Sequence, residues 1–314
     1  MTATFHSIDS RLTVIERGWL NCNQVVLTSP ERNVLIDSGY GRHAQRTIGY
    51  VEEALGAGTL HQLLNTHCHS DHMGGNRACA QHFGCEVVIP EGEVRHVVPW
   101  TEQSCWSEQM DQYAEEFAID ATLVPGDVVH AGGRDWIAVA APGHDMDALM
   151  FFSEEGRILV SGDALWEKGM GFVWPEHESA AHRERTGFLD AARATLDAIE
   201  ALRPALVIPG HGAPFAEVSK ALAESRSRLD AFARDPAKHA RHVVRALFVF
   251  SLLDRGAMRT PVADYIRSVP VYGQMRDGFL GGTNDELARA LVDDLVRAGA
   301  IQSIDGVLYP TMRA

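Results

Sequence analysis

Residues 66–75 of this 314-residue chain read THCHSDHMGG and place His67, His69, Asp71 and His72 within six positions. Imidazole nitrogens and carboxylate oxygens are ligands preferred by zinc and other borderline divalent cations. A regular strand could not direct all four side chains to one place, because successive side chains point to opposite faces. The spacing therefore predicts a loop folded around metal, with coordination positions left open for water and substrate.

The sequence before this motif reads as a buried strand, and the same arrangement recurs three times downstream. Each strand-like stretch ends in a short turn that carries a histidine or an aspartate. The four stretches are residues 60–65 before the motif, 136–141 before Pro142-Gly143-His144, 158–161 before Gly162-Asp163, and 205–208 before the PGHG sequence that contains His211. Rigid strands that present side chains on loops are typical of an active site, so we expect these four ends to converge.

The remaining sequence divides near Pro214. Before it, alternating β-rich runs and helical periodicity indicate a catalytic domain over residues 1–214; after it, amphipathic runs indicate a mainly helical C-terminal domain over residues 215–314 that packs against the first. The turn Asp305-Gly306 predicts a closing β-hairpin, which makes the end of the tail winged-helix-like. The predicted strands are 12–16, 24–28 and 33–37, and the predicted helices are 44–55, 186–202, 215–233, 235–254, 260–268 and 284–299.

Composition indicates an ordinary globular protein, with 46% hydrophobic and 22% charged residues. The first residues lack a basic start and an apolar run, and no stretch approaches the roughly 18 apolar residues of a membrane span, so a cytoplasmic protein without membrane contact is expected. The cysteine number is odd and no CxxC spacing occurs, which predicts reduced thiols. These cysteines are Cys22, Cys68, Cys79, Cys85 and Cys105.

The net charge of −14 is concentrated in the first part of the chain, where residues 1–214 hold 14 Lys and Arg against 30 Asp and Glu. Residues 215–314 hold 14 against 12. An acidic catalytic part disfavours nucleic acid unless a local basic patch compensates, so a small-molecule substrate is expected. The tail could serve as a cap over the active site or as a homodimer contact.

The order of the motifs, HxHxDH followed by PGH, GD and PGHG, resembles the metallo-β-lactamase superfamily over residues 11–214. The resemblance implies an α/β fold, the αββα sandwich, with two divalent cations at one edge of its sheets. The cations would be zinc, with iron or manganese as alternatives. Asp37 matches an early family aspartate that orients the ligand loop. The implied ligands are His67, His69 and His144 for the first cation, Asp71, His72 and His211 for the second, and Asp163 as the bridge.

The implied chemistry is hydrolysis. Two cations roughly 3.5–4 Å apart can share a water, lower its pKa and present a bridging hydroxide to a carbonyl carbon, so no serine or cysteine nucleophile is needed. Asp71 would also steer the attacking water. The side chain of Cys68 should point away from the metals in extended backbone. The expected activity is hydrolysis of a thioester, an ester or a lactone.

Residues 164–174 follow the bridging aspartate and supply three candidate substrate contacts, Trp166, Lys168 and Phe172. The aromatic residues Trp166, Phe172 and Trp174 could equally be packing residues under a loop. This stretch resembles the glyoxalase II branch, whose members hydrolyse glutathione thioesters. Phe172 replaces the basic residue of that branch, which puts glutathione recognition in doubt. A second aromatic segment, residues 96–106, is a candidate of the same kind.

Three other activities remain open. The tail resembles that of lactamase-beta-like proteins, some of which cut single-stranded RNA, although a nuclease should offer a basic track. A persulfide dioxygenase with a single iron uses the same fold. A binding protein with a structural metal is disfavoured because structural zinc usually fills its coordination. His69 stands where flavodiiron oxidoreductases carry glutamate, which disfavours a redox centre.

Overall fold

The computed structural model describes residues 3–101, 104, 107–176 and 187–312 and places two β-sheets face to face. The first sheet has seven strands in chain order and the second has five in the order β12-β11-β10-β9-β8. Strands β1 to β7 are Thr4–Asp9, Leu12–Glu16, Gln24–Leu27, Val34–Ile36, Gln62–Leu64, Glu86–Pro90 and Ala121–Leu123; β8 to β12 are Val128–Ala131, Arg134–Ala140, Leu149–Ser153, Ile158–Gly162 and Leu206–Pro209. A separate hairpin contains β13 (Ile301–Ile304) and β14 (Val307–Pro310).

Helices cover the outer face of each sheet and make up most of the C-terminal part. Helices α1 to α6 are Ala44–Leu55, Ser70–Met73, Asn76–Phe83, Val94–Val97, Ser107–Met110 and Phe188–Leu202; α7 to α11 are Val218–Arg234, Pro236–Arg255, Val262–Ser268, Pro270–Met275 and Asn284–Arg297. A π-helical turn, Arg276–Leu280, follows α10. Within these described ranges, no helix combines the length and apolarity that a membrane crossing requires.

The order of sheets and helices follows from the way that successive side chains of a strand point to opposite faces of its sheet. In β2, Leu12 and Val14 belong to the apolar cluster between the two sheets, while Ile15 faces outward and joins the cluster beneath α1 and α3. Helices α6 and α7 cover the opposite face of the second sheet. Because the central strands β3, β4, β10 and β11 are buried on both faces, they need a helical layer on the side away from the other sheet. The αββα sandwich implied by the sequence is therefore confirmed.

Parallel pairing brings the site-bearing strand ends together. Strands β4, β5 and β6 run parallel, as do β11 and β12, so the residues that follow them emerge at one edge. Asp37 follows β4 directly, and Asp163 follows β11. The loop expected within the motif is instead partly helical: α2 carries Asp71 and His72 on one short turn.

The C-terminal part packs against the sandwich at two places. Helix α7 joins the apolar layer of α6, with Leu222 and Leu229 in the same cluster as Leu196. Helices α8 to α11 form another cluster, which also contains Tyr40 and Trp174 from the sandwich. The first tail helix thus belongs to the outer layer of the second sheet, and the domain boundary at residue 214 stays a prediction.

Candidate metal centre

The structure brings all seven predicted ligands together in two adjacent groups. His67, His69 and His144 form one group; Asp71, His72, Asp163 and His211 form the other. Within each group, one donor atom from every residue lies within 4.8 Å of the others. Their assignment as ligands stays a prediction, and each group has the donor types that a divalent cation prefers.

The backbone of the motif is set by a change from strand to helix. His67 lies just beyond β5, and His69 is the extended N-cap residue of α2, with φ −78° and ψ 154°. Gly75 lets this turn pack against the loop after β4, because a Cβ there would lie 2.5 Å from the carbonyl oxygen of Ser38. The amide of Ser38 in turn donates to the carbonyl of His72 at 2.7 Å.

Asp37 fixes the orientation of His72. Its Oδ2 lies 2.8 Å from Nδ1 of His72 and accepts from the hydroxyl of Thr66 at 2.9 Å, while its Oδ1 accepts from the amide of Thr66 at 2.8 Å. With Nδ1 held by this carboxylate, Nε2 of His72 is the nitrogen left for a metal. The positioning role of Asp37 stays a prediction, and Thr66 is a partner that the sequence did not reveal.

The donor atoms fit divalent cations. Among the described residues, Nε2 of His67 and Nε2 of His72 are buried without a hydrogen-bond partner. Nδ1 of His69 and Nε2 of His144 lie 2.8 Å apart, and Nδ1 of His144 donates to the carbonyl of Phe172 at 2.6 Å. An unpartnered buried polar atom costs about 1–3 kcal/mol, which a cation between these nitrogens would offset. The residues present therefore suit the metal that the fold implies.

Burial sets the protonation of the first group. It lowers the pKa of His67 well below the ordinary value and the pKa of His69 to about 4, so both rings are neutral near pH 7 and available as ligands. Burial would raise the pKa of Asp163, but His72 and His211 outweigh it and hold that pKa well below the usual range. The bridge candidate is thus a carboxylate.

Two glycines that sequence reasoning missed leave space for the ligands. A Cβ on Gly210 would overlap the carboxylate of Asp163. A Cβ on Gly171 would lie 2.7 Å from Nδ1 of His144. The only signal in the sequence was that Gly210 belongs to the PGHG motif and that Gly171 lies in the segment after Asp163.

A cavity of about 690 Å³ opens onto the donor atoms, and Trp166, Lys168 and Phe172 all line it. The indole N–H of Trp166 donates to Oδ1 of Asp163 at 3.1 Å. This ring therefore contacts the candidate bridging ligand and also forms part of the cavity wall. The ring of Phe172 meets His144 edge-on at 5.2 Å. Trp19, which the sequence did not single out, stacks on His211 with centroids 5.5 Å apart and is 46% exposed.

The second aromatic segment does not reach this cavity in the part that the structure describes. Trp100 packs edge-on against Phe117 at 6.1 Å, away from the cavity lining. Residues 102–103 and 105–106 lie outside the described residues, so the expectations for Cys105 and Trp106 have no structural counterpart.

Two acidic residues behind the motif were also missed. Oε1 of the buried Glu93 accepts from the amide of Cys68 at 2.9 Å, and burial together with Asp145 raises the pKa of Glu93 well above its usual range. Oδ2 of Asp145 lies 3.5 Å from Nε2 of His69. The side chain of Cys68 lies in the apolar cluster with Met73, outside the two donor groups. No sequence spacing links these acids to the motif.

The family model for the metallo-beta-lactamase superfamily matches residues 17–211. The chain belongs to this superfamily. Its curated relatives include hydroxyacylglutathione hydrolase from Rhodospirillum rubrum, 32% identical over 113 residues, which are 36% of this chain and 37% of that enzyme. The corresponding enzyme from Methylococcus capsulatus is 33% identical over 125 residues, 39% of this chain and 41% of the enzyme. The matches thus span about two fifths of these relatives.

Solved structures share the fold at low identity. The metallo-beta-lactamase family protein TTHA1429 from Thermus thermophilus aligns with a TM-score of 0.52 and 21% identity over 95% of this chain and 93% of that one. The metallo-beta-lactamase GOB-18 from Elizabethkingia meningoseptica aligns with a TM-score of 0.59 and 14% identity over 74% and 93%. The chain thus shares the fold of a superfamily that binds divalent metals, and its histidine and aspartate cluster offers donor atoms of the kind that such a metal needs.

Proposed function

We propose that this protein is a hydrolase that holds two divalent cations, zinc being expected, and cleaves a thioester. The observation that carries the proposal is the pair of adjacent donor groups at the floor of one cavity, with inward nitrogens that lack partners. Oδ2 of Asp163 lies 3.5 Å from Nε2 of His144, and Oδ1 lies 3.3 Å from Nε2 of His72. This position between the two groups supports a bridging role for Asp163.

The chain's own residues would position the reactants. When bound, the cations supply Lewis acidity and lower the pKa of a water molecule. Asp71 lines the cavity with its Oδ2 3.1 Å from Nε2 of His211, so its carboxylate can accept a hydrogen bond from that water. Trp19, Trp166 and Phe172 restrict solvent around the scissile bond, which strengthens the electrostatic interactions there.

Two observations favour a thioester over the other carbonyl compounds. The curated relatives hydrolyse an acylated glutathione by name. The part of the cavity wall formed by Trp19, Trp166 and Phe172 is aromatic, which suits an apolar acyl group. Phe172 has no charge with which to recognise glutathione, so these two observations do not identify the thiol half of the substrate.

Metal content tests the dinuclear centre. We expect about two zinc ions per chain in protein purified without added metal, and loss of at least one in His69→Ala. His82→Ala is the matched control, because His82 is exposed and pairs with Glu52 at 2.8 Å, outside the cavity. Circular dichroism of each variant separates metal loss from unfolding. A single iron in the wild type would contradict the proposal and support the dioxygenase.

A substrate panel tests the reaction. We expect the zinc-loaded protein to hydrolyse an acyl thioester faster than a lactone, to leave single-stranded RNA intact, and to lose turnover in His69→Ala but not in His82→Ala. Cleavage of the RNA without turnover of any thioester would replace this proposal with the endoribonuclease.

A further inference from the structure

A second pocket, of about 480 Å³, adjoins the catalytic cavity between helices α7 and α8. We call it the basic pocket, because Arg228, Lys238, Arg241 and Arg245 all line it. These are four of the 14 Lys and Arg residues of the C-terminal part, collected in one place on a chain whose net charge is −14. The metal centre does not use any of them.

The basic pocket is continuous with the catalytic cavity. Arg228, His242 and Arg245 line both. The guanidinium of Arg228 donates to the carbonyl of Lys168 at 2.8 Å and lies against Gly169, in the loop that follows the bridge candidate Asp163. A molecule whose reactive end lies at the metal centre could therefore place its other end in the basic pocket.

The positive charge of the basic pocket is only partly neutralised. Its carboxylates are Glu224 and Asp294, and Asp294 is paired with Arg297 at 3.1 Å. Arg241 lies 3.8 Å from the carboxylate of Asp235, an exposed pair at the start of α8. In the part of the chain that the structure describes, Arg228 and Arg245 have no carboxylate within ion-pair distance. Such guanidinium groups are a ready partner for an anion.

We infer that the basic pocket binds phosphate groups on the thiol half of the substrate, an inference that rests on the proposed thioester hydrolysis. Guanidinium groups match phosphate in a bidentate geometry, and four cations suit an anion with several charges rather than one carboxylate. The cluster is confined to one pocket that also contains Glu224 and Asp294, whereas a nucleic acid requires an extended basic track. The substrate is then an acyl thioester of a phosphorylated thiol.

Three thioesters with the same acyl group test the inference. Their thiols are coenzyme A, which carries phosphates, glutathione, which carries carboxylates, and N-acetylcysteamine, which is uncharged. We expect kcat/KM for the coenzyme A thioester to exceed that for the N-acetylcysteamine thioester at least tenfold, as one charge-assisted contact implies about a tenfold change. Arg241→Gln and Arg245→Gln should each lower this ratio about tenfold. Arg289→Gln, which removes an exposed charge outside both cavities, should keep it.

Calorimetry with adenosine 3′,5′-bisphosphate tests the same pocket without a thiol and without turnover. We expect binding that weakens with salt and is lost in Arg241→Gln and Arg245→Gln but kept in Arg289→Gln. Equal values of kcat/KM for the three thioesters would overturn the inference. So would equal binding of the bisphosphate by the wild type and the two arginine variants. If the bisphosphate binds as expected but no thioester is cleaved, the proposed function fails while the phosphate pocket stands. Tighter binding of single-stranded RNA at the same arginines would overturn the thioester assignment of the pocket.

Discussion

Residues next to the candidate metal ligands hold those ligands in place through hydrogen bonds. Asp37 is the clearest case, because its two oxygens bind His72 and both polar groups of Thr66 while its own φ is 61°, in the left-handed region. A residue held in this region costs of order 1 kcal/mol, which its hydrogen bonds offset. The strain is local to the turn after β4 that meets the metal motif.

Asp37→Asn should therefore weaken the second cation site. The side chain of asparagine has only one oxygen, whereas both oxygens of Asp37 are engaged by the amide and hydroxyl of Thr66 and by Nδ1 of His72. The ring of His72 therefore loses its fixed orientation. Loss of such a supporting group typically lowers metal affinity 10–100-fold. Competition with a zinc chelator measures the affinity. Asp230→Asn, at an exposed residue that pairs with Arg193, is the matched control and should leave affinity unchanged. Unchanged affinity in Asp37→Asn would refute the positioning role.

Gly210→Ala should displace the bridge candidate. The added methyl overlaps the carboxylate of Asp163, so the side chain or the β12 turn must shift. We expect kcat/KM to fall at least tenfold, since a shifted ligand behaves like a lost supporting contact. Gly273→Ala, in α10 with no atom within 4 Å of the new methyl, should keep activity and stability. Steady-state kinetics and thermal unfolding of both variants check this expectation.

At the scale of elements, the junction of α7 and α8 supports the basic pocket. Asp235 caps α8 by accepting from the amide of Lys238 at 2.8 Å, and Pro236 occupies its first turn. One turn into α8, His239 is buried, stacks on Phe232 of α7 with centroids 4.2 Å apart, and approaches the carbonyl of Val173 at 2.7 Å. These contacts fix the angle at which the two helices meet.

This junction should be sensitive to acid. Burial lowers the pKa of His239 to about 4, against about 6.5 in an unfolded chain. Between these values the unfolded state binds a proton that the folded state does not, so stability falls as pH falls from about 6.5 to 4. In His239→Gln this part of the pH dependence, up to about 3 kcal/mol, should disappear. Urea unfolding at pH 7 and pH 5 measures it. An unaltered pH dependence in the variant would contradict the assignment.

At the scale of the whole molecule, Tyr40 connects the sandwich to the tail. Its hydroxyl donates to Oδ2 of Asp254 in α8 at 3.0 Å and accepts from the amide of Tyr113 at 2.9 Å. Its ring is fully buried in the cluster of tail helices and meets Phe250 edge-on at 5.5 Å. The tail therefore shares its core with the catalytic part and also supplies a wall of the cavity.

Tyr40→Phe should lower the stability of the whole chain. It leaves Asp254 and the amide of Tyr113 short of a partner at a packed junction, which costs about 1–3 kcal/mol. Tyr309→Phe is the matched control, because the hydroxyl of Tyr309 has no hydrogen bond among the described residues. Chemical denaturation of both variants measures the free energy of unfolding. If the tail were an independent unit, the sandwich and the tail would unfold in separate transitions and only one would shift.

The sequence by itself predicted helix α1 and the turns that carry the seven candidate ligands, because each depends on local pattern, and the resemblance of those motifs to the superfamily implied the sandwich. Periodicity of apolar residues marks strands and helices, and HxHxDH concentrates four donors within six positions. It missed β10, Leu149–Ser153, which lacks the valine, isoleucine and threonine residues that favour a strand. The equally buried β11 contains Ile158 and Val160, and the sequence did predict it.

Only the tertiary structure decided which distant groups serve the site. Glu93 and Asp145 meet behind the motif, Trp19 stacks on His211 from the turn after β2, and Arg228 and Arg245 reach the cavity from α7 and α8. Their spacing along the chain does not predict that they meet at the site, because helix packing and sheet pairing fix their positions. A local pattern records the chemistry of one turn, whereas the surroundings of a cavity depend on how all the layers pack.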